Sequence, residues 1–119
     1  MNQSKELKIN IFEKIGTSTA VSSESGDAIF NSIKNGLQNG AVITLDFLNI
    51  DLLTSAFLNG AIGQLYSEFT GDQLNKSLKI KNMKPEDTQI LKKVISRAKE
   101  YFKDRGNIDS AIKDALNDE

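Results

Sequence analysis

The sequence contains no cysteine, no histidine and no tryptophan, and it has only one proline. Without cysteine, the chain can form neither disulfide bonds nor a thiolate nucleophile. The absence of histidine argues against most transition-metal sites and against most general-base mechanisms, because both usually depend on an imidazole. We therefore expect a protein that is not an enzyme and that carries no cofactor.

Long apolar runs are also missing, so we expect no membrane-spanning segment. The first six residues lack the apolar core of a signal peptide, which favours a cytoplasmic location. The 119 residues are 39% hydrophobic and 26% charged, which is typical of one folded domain. We accordingly treat residues 1–119 as a single domain.

Charge is spread unevenly along the chain, although the net charge is only −1. The segment from Lys76 to Arg105 holds ten basic and four acidic residues, so the remainder carries −7. A solvated helix face is the favoured interpretation of this segment. The alternative is a nucleic-acid interface, for which Tyr101 and Phe102 are the only aromatic residues there. We do not expect nucleic acid to be the partner.

The hydrophobic pattern predicts an α/β fold, with a small sheet and helices packed mainly on one face. The domain core would span about residues 6–105. Its predicted elements are strand Glu6–Lys14, a short strand Ala20–Ser22, a helix from the Ser22 cap to Gly40, strand Ala41–Phe47 buried on both faces, helix Ser55–Phe69, strand Ser77–Lys81, a helix from Pro85 to Gly106, and a short helix over 107–117.

The same periodicity predicts which side chains form the core and where glycine permits close packing. Gly60 and Gly63 weaken a helix, so we expect them to serve a close approach between helix and sheet. The predicted core comprises Ile9, Ile11, Ile33, Val42, Ile43, Leu45, Leu58, Ile62, Leu65, Leu78, Ile80, Leu91, Val94 and Ile95.

Candidate functional residues lie between a predicted buried strand and the helix that follows it. Thr54 and Ser55 begin that helix, where a hydroxyl can be a phosphorylation site, contribute to an anion site or cap the helix. Asp46 and Asp51 form a second candidate, and we expect Asp46 to accept hydrogen bonds from loop N–H groups. The Ser/Thr-rich segment 16–26 lacks the Lys-Ser/Thr ending of a phosphate-binding loop, so a nucleotide-binding enzyme is the weakest interpretation.

Two short stretches resemble a known family. Leu45-Asp46-Phe47-Leu48-Asn49-Ile50, followed by Thr54-Ser55-Ala56-Phe57-Leu58-Asn59, is similar to the STAS-like domains of unknown function, which are bacterial relatives of anti-sigma factor antagonists. That family typically has an Asp-Phe pair at a strand end and a helix start containing Ser and Phe. The resemblance covers roughly residues 20–105 and implies a single STAS-like domain.

The resemblance also implies a regulatory, non-enzymatic role through protein–protein contact. In the antagonists, an Asp-Ser-Ser/Thr-Gly-Leu motif begins this helix, and the serine after the aspartate is phosphorylated. Thr54 stands at the aspartate position, Ser55 at the acceptor position and Phe57 at the glycine position. The implied partner is a histidine-kinase-like ATPase or an anti-sigma factor, with Asp51, Thr54, Ser55, Phe57 and Leu58 as contact residues.

Overall fold

A computed structural model describes the backbone of residues 5–117 and the side chains of residues 5–102. In chain order its elements are β1 (Glu6–Asn10), α1 (Ile11–Ile15), β2 (Thr19–Ala20), α2 (Ser23–Gln38), β3 (Val42–Asp46), β4 (Leu52–Leu53), α3 (Ser55–Ala61), a 3-10 helix (Gly63–Ser67), α4 (Gly71–Ser77), β5 (Leu78–Lys81) and α5 (Pro85–Asn117). No helix in this described part is both long enough and apolar enough to cross a bilayer.

The main sheet is parallel and has the strand order β1-β3-β5. Leu7, Ile43 and Leu78 are aligned across it, as are Ile9, Leu45 and Ile80. Both rows belong to the face covered by the helices, because Ile43 packs against Gly36 of α2. The other face carries Lys8, Thr44 and Lys79. The predicted α/β class, with helices mainly on one face, is confirmed.

Helices α2 and α3 cross with their backbones in contact. A Cβ atom placed on Gly26 of α2 would lie 2.5 Å from the Phe57 carbonyl oxygen. On the other side of the crossing, a Cβ on Gly60 of α3 would lie 3.1 Å from the Ser23 carbonyl oxygen. Only glycine allows two helices to approach this closely. Gly60 thus serves helix–helix contact, and Gly63 faces Val94 and Ala98 of α5, so the expected helix–sheet role is wrong.

Several observed elements differ in their bounds from the predicted ones, because polar side chains end one segment and begin the next. The first strand stops at Asn10, whose side chain accepts from the Glu13 N–H and begins α1. Likewise, Thr70 and Gln73 form a reciprocal capping box that begins α4 before β5. The predicted helix Ser55–Phe69 is two shorter helices that meet at Ile62.

The C-terminal part of the chain also differs from the prediction. Helix α5 begins at Pro85 as predicted, but it continues through Gly106 to Asn117 instead of ending there. A separate helix over 107–117 is therefore not observed. Glycine lowers helix stability by about 1 kcal/mol without requiring a break. The apolar side chains that motivated that helix lie outside the described side chains.

The core is centred on the helix-covered face of the sheet. Nine of the fourteen predicted core residues are buried, whereas Ile9, Val42, Leu78 and Ile95 are half-buried and Ile80 is exposed. Val42 lies on the open face, so strand β3 is not buried on both faces as predicted. Ile80 is on the edge strand β5, where covering neighbours are fewer. Buried residues outside the prediction include Ala20, Ile29, Phe30, Ala41, Phe47, Ile50, Leu53, Phe57 and Leu74.

Candidate functional site

The β4–α3 junction is the segment Asp51–Ala56, and backbone hydrogen bonds hold it against the chain before α2. The Asp51 N–H donates to the Ser18 carbonyl oxygen at 2.8 Å, and strand β4 pairs in parallel with β2. The Thr54 N–H then donates to the Ala20 carbonyl oxygen at 3.2 Å. The position of the junction therefore depends on residues that are more than thirty positions away in the chain.

Thr54, and not Ser55, caps helix α3. The Thr54 hydroxyl oxygen accepts from the Phe57 N–H at 3.3 Å, and the hydroxyl donates to the Val21 carbonyl oxygen at 2.9 Å. Ser55 is the first residue of α3 and is exposed. Among the described residues, its hydroxyl has no hydrogen-bond partner. The hydroxyl of Ser55 is therefore accessible and is not needed for capping.

The predicted contact residues divide into two groups in the structure. Asp51 and Ser55 are exposed and Thr54 is half-buried, so all three are accessible from the surface of the junction. Phe57 and Leu58 are fully buried in the core. Their prediction as direct contact residues is wrong, because the first turn of α3 directs both side chains into the packing beneath the junction. They support the surface from below.

Exposed apolar side chains accompany the junction. Leu52 of β4 is 54% exposed and Leu48, in the turn that follows β3, is 50% exposed. Val21 is also exposed and supplies the carbonyl oxygen to which Thr54 donates. Large apolar groups that remain in water on neighbouring segments are typical of protein–protein contact sites. The sequence prediction missed Val21 and Leu52, which alternate with buried residues at the ends of two very short strands.

Asp46 is the most buried ionisable side chain among the described residues. One carboxylate oxygen accepts from the Leu48 N–H at 3.0 Å and from the Asn82 amide at 2.8 Å. The other lies 3.1 Å from the Lys8 ammonium group. The predicted hydrogen bond from a loop N–H group is confirmed. This carboxylate ties the turn after β3 to the middle of β1 and to the residue that follows β5, so its role is structural.

The hydrogen bond from Asn82 holds the pKa of Asp46 below its usual value, and the contacts with Leu48 and Lys8 act in the same direction against the effect of burial. A carboxyl group with a lowered pKa stabilises the fold above its unfolded-state pKa, near 3.8. That contribution is lost as the pH falls through the folded-state pKa. The charged carboxylate therefore makes its full contribution to the free energy of unfolding at neutral pH.

We expect Asp46→Asn to lower the free energy of unfolding by about 1–2 kcal/mol at neutral pH, because the amide cannot accept on both sides as the carboxylate does. Lys8 is more than half exposed, so its ion pair contributes little of this loss. Urea unfolding at neutral pH and at successively lower pH measures the difference between the two proteins. The difference should shrink once the pH falls below about 4. A difference that is constant over this range would contradict a role for the charge.

The sequence analysis overlooked two residues that contact the candidate aspartates: Asn82 donates to Asp46, and Lys84 donates to Asp51. Lys84 donates to the Asp51 carbonyl oxygen at 3.2 Å, and Asn82 has a left-handed backbone with φ of 59° directly after β5. Burial raises the pKa of Asp87, the negative charge of Glu86 adds to the rise, and Lys84 opposes it. The carboxyl ends of parallel strands meet at one edge of a sheet, which is the signal that could have identified Asn82.

The basic segment does not form one continuous face in its described part. Lys79 and Lys81 of β5 share the open face of the sheet with Lys8, as the strand register shows. Helix α5, which carries Lys92, Lys93, Arg97 and Lys99, packs against α3 and the 3-10 helix on the opposite side. The nucleic-acid alternative stays a prediction, and this division of charge does not favour it.

Among the described residues, no group of three or more acidic side chains could hold a metal ion.

Comparisons with known proteins identify one family. The family model that matches is the STAS-like domain of unknown function, over residues 25–88. No curated protein and no solved structure matches this chain. The matched segment includes most of α2 together with β3, the β4–α3 junction and β5, and it is more than half of the 119 residues. The chain therefore belongs to the family of STAS-like domains of unknown function.

Proposed function

We propose that this protein is a non-enzymatic regulatory domain whose β4–α3 junction binds a protein partner. The proposed partner is a histidine-kinase-like ATPase or an anti-sigma factor, by analogy with the anti-sigma factor antagonists. Phosphorylation of Ser55 would switch the contact. The observation that carries the proposal is the exposed Ser55 hydroxyl, free of any capping role, in the same junction as the exposed side chain of Leu52.

The surroundings of Ser55 suit a contact surface better than a catalytic centre. Thr54 is already committed to Val21 and Phe57 by two hydrogen bonds, and no histidine exists to activate a serine nucleophile. Leu48 and Leu52 offer apolar area that a partner would bury. Asp51 supplies a charge at the rim, where it affects specificity and association rate more than affinity.

A phosphate on Ser55 would act on the contact and leave the fold intact. It would add a charge of about −1.5 to −2 at an exposed position. Because the side chain is in water and makes no hydrogen bond that the fold needs, the free domain can accept this charge. In a complex, the same phosphate would lose its hydration, so we expect it to weaken binding.

The two neighbouring hydroxyl residues provide a stability test of this assignment. Ser55→Ala should change the free energy of unfolding by less than about 0.5 kcal/mol, as is usual for exposed positions. Thr54→Ala should cost about 1–2 kcal/mol, because it removes the cap of α3. Urea unfolding of both variants measures the contrast. An equal or larger loss for Ser55→Ala would show that Ser55 is structural.

Binding is tested first by using the wild-type domain to capture proteins from its native host and then by titrating the purified captured ATPase or anti-sigma factor. Leu52→Lys should abolish most of the binding, and Ser55→Asp should weaken it while the melting temperature stays near that of wild type. Asp carries less charge than phosphate, so protein phosphorylated at Ser55 in vitro should bind the partner more weakly than Ser55→Asp does.

Ser96→Asp is the matched control, because it places the same charge on an exposed residue of α5, outside the segment Asp51–Ala56. It should bind as wild type does. A purified partner that binds Leu52→Lys and Ser55→Asp with unchanged affinity would place the contact elsewhere on the domain. If Ser55→Asp alone binds normally, the junction remains the contact and the switch is wrong.

A further inference from the structure

Strand β1 lies at one edge of the main sheet, and within residues 5–117 no strand pairs with its outer side. The Val42 N–H donates to the Lys5 carbonyl oxygen at 2.8 Å on the inner side. Successive residues of a strand direct their backbone groups to opposite edges, so the N–H and C=O groups of Glu6 and Lys8 point outward. These unpaired groups are a template for another strand.

The side chains along this edge are complementary to a second copy of the same strand. In an antiparallel pair centred on Leu7, Glu6 of each copy lies opposite Lys8 of the other, and Leu7 lies opposite Leu7. This register joins the outward backbone groups of Glu6 and Lys8 in hydrogen-bonded pairs. Centring the pair on Glu6 or Lys8 would instead oppose like charges, which is destabilising.

Leu7 is 42% exposed, although it lies on the helix-covered face of the sheet. It borders an open groove of about 620 Å³ between β1 and α2, whose α2 wall is formed by Ser32, Asn35, Gly36 and Asn39. The groove leaves space beside the edge, so α2 does not cover it. A two-fold pairing at Leu7 would bury the two exposed leucines against each other.

We propose that two copies of this chain associate through antiparallel pairing of β1 about a two-fold axis at Leu7. The pairing joins two three-stranded sheets into one continuous sheet, with two Glu6–Lys8 ion pairs on the open face and the Leu7 pair on the helix side. Each copy presents the same surface to the other, as two-fold symmetry requires. The strand pair is short, so the association is weak and depends on concentration.

Sedimentation equilibrium up to millimolar chain concentration tests the proposal. Wild type should form dimers, and Glu6→Lys should weaken dimerisation by about tenfold or more, because both ion pairs become repulsions. Glu100→Lys, which makes the same charge change at an exposed position of α5 that does not line the groove, should dimerise as wild type does. Lys8→Glu alone should be monomeric. An equimolar mixture of Glu6→Lys and Lys8→Glu should dimerise again, because every pair across the axis is then complementary.

Amide hydrogen exchange of the wild-type chain provides a measurement that does not depend on a variant. The outward N–H groups of Glu6 and Lys8 should exchange rapidly in dilute solution and become protected at high concentration. Lys8→Glu places a second carboxylate next to Asp46 and can therefore prevent folding. In that case this readout, together with the comparison of Glu6→Lys and Glu100→Lys, decides the matter. A wild-type chain that stays monomeric overturns the proposal. This holds even if a peptide from another protein pairs with the β1 edge and protects its N–H groups from exchange. Unchanged dimerisation of Glu6→Lys overturns it as well.

Discussion

Replacing Leu45 with alanine is expected to lower the free energy of unfolding by about 2–5 kcal/mol. Leu45 is fully buried in the central strand β3, and its register neighbours are Ile9 on β1 and Ile80 on β5. Truncation removes apolar contacts and leaves a cavity that strands paired on both sides cannot close. Urea unfolding followed by circular dichroism measures the loss.

Thr44 provides the matched control, because it is adjacent on the same strand but half-buried on the open face. Thr44→Ala should lower the free energy of unfolding by less than about 1 kcal/mol, because residue types differ by no more than this in their intrinsic preference for a strand. If Leu45→Ala lost no more than about 0.5 kcal/mol, as surface changes do, β3 would not be the centre of the core.

Gly26→Ala is expected to be the other strongly destabilising change, at about 1–3 kcal/mol. The new Cβ would lie 2.5 Å from the Phe57 carbonyl oxygen and 3.1 Å from the Ala61 nitrogen, both of which are backbone atoms of α3. Backbone atoms of a packed helix cannot rotate away as a side chain can. The helices must therefore separate, although alanine by itself favours the helix by about 1 kcal/mol over glycine.

The displacement should also be visible at the candidate site. Helix α3 begins at Ser55, so moving it away from α2 disturbs the Thr54 cap and its bond to Val21. Urea unfolding gives the stability loss, and backbone chemical shifts of residues 54–57 report the movement. Gly71→Ala is the control, since its Cβ would meet only side-chain atoms at 3.7 and 4.0 Å. A Gly26→Ala protein more stable than wild type would contradict the close crossing.

This crossing explains how a small domain holds the junction in place. Phe57 and Leu58 anchor α3 in the core, Gly26 and Gly60 let it lie directly on α2, and Thr54 ties its first turn to Val21. A surface fixed in this way does not need Ser55 for its shape. Under the proposed function, a change at Ser55 can alter binding without altering the domain.

The elements that the sequence determined have strong local signals. Strand β3 is an apolar, β-branched stretch bounded by Gly40 and a turn, and α2 combines the Ser22 cap with helical spacing of Ile29 and Ile33. Pro85, followed by two acidic residues, marks the start of α5 in the same way. The Asp-Phe and Thr-Ser stretches were also sufficient to suggest the family that the family model shows.

Only the tertiary structure decided which of these residues can act at the surface. Phe57 and Leu58 resemble contact residues in the sequence, but their positions on α3 place them in the core. In the sequence, Thr54 and Ser55 are equally plausible caps. In the structure, the Thr54 hydroxyl donates to the Val21 carbonyl oxygen, and this distant contact holds Thr54 in the capping position. The predicted short strand Ala20–Ser22 overlaps β2 only at Ala20, and β4 was not predicted. Two-residue strands have no detectable period, because each exists only through its pairing with the other.

The open face and free edge of the sheet were equally beyond local reasoning. The alternation of Leu7, Lys8 and Ile9 predicts a strand, but it does not say which strand pairs with it or which edge stays free. Asp46 likewise acquires its contacts with Lys8, in the middle of β1, and Asn82, just after β5, from residues that lie 38 and 36 positions away in the chain. Local sequence determines which segments can form helices and strands, whereas contacts between distant segments determine burial, pairing and exposure.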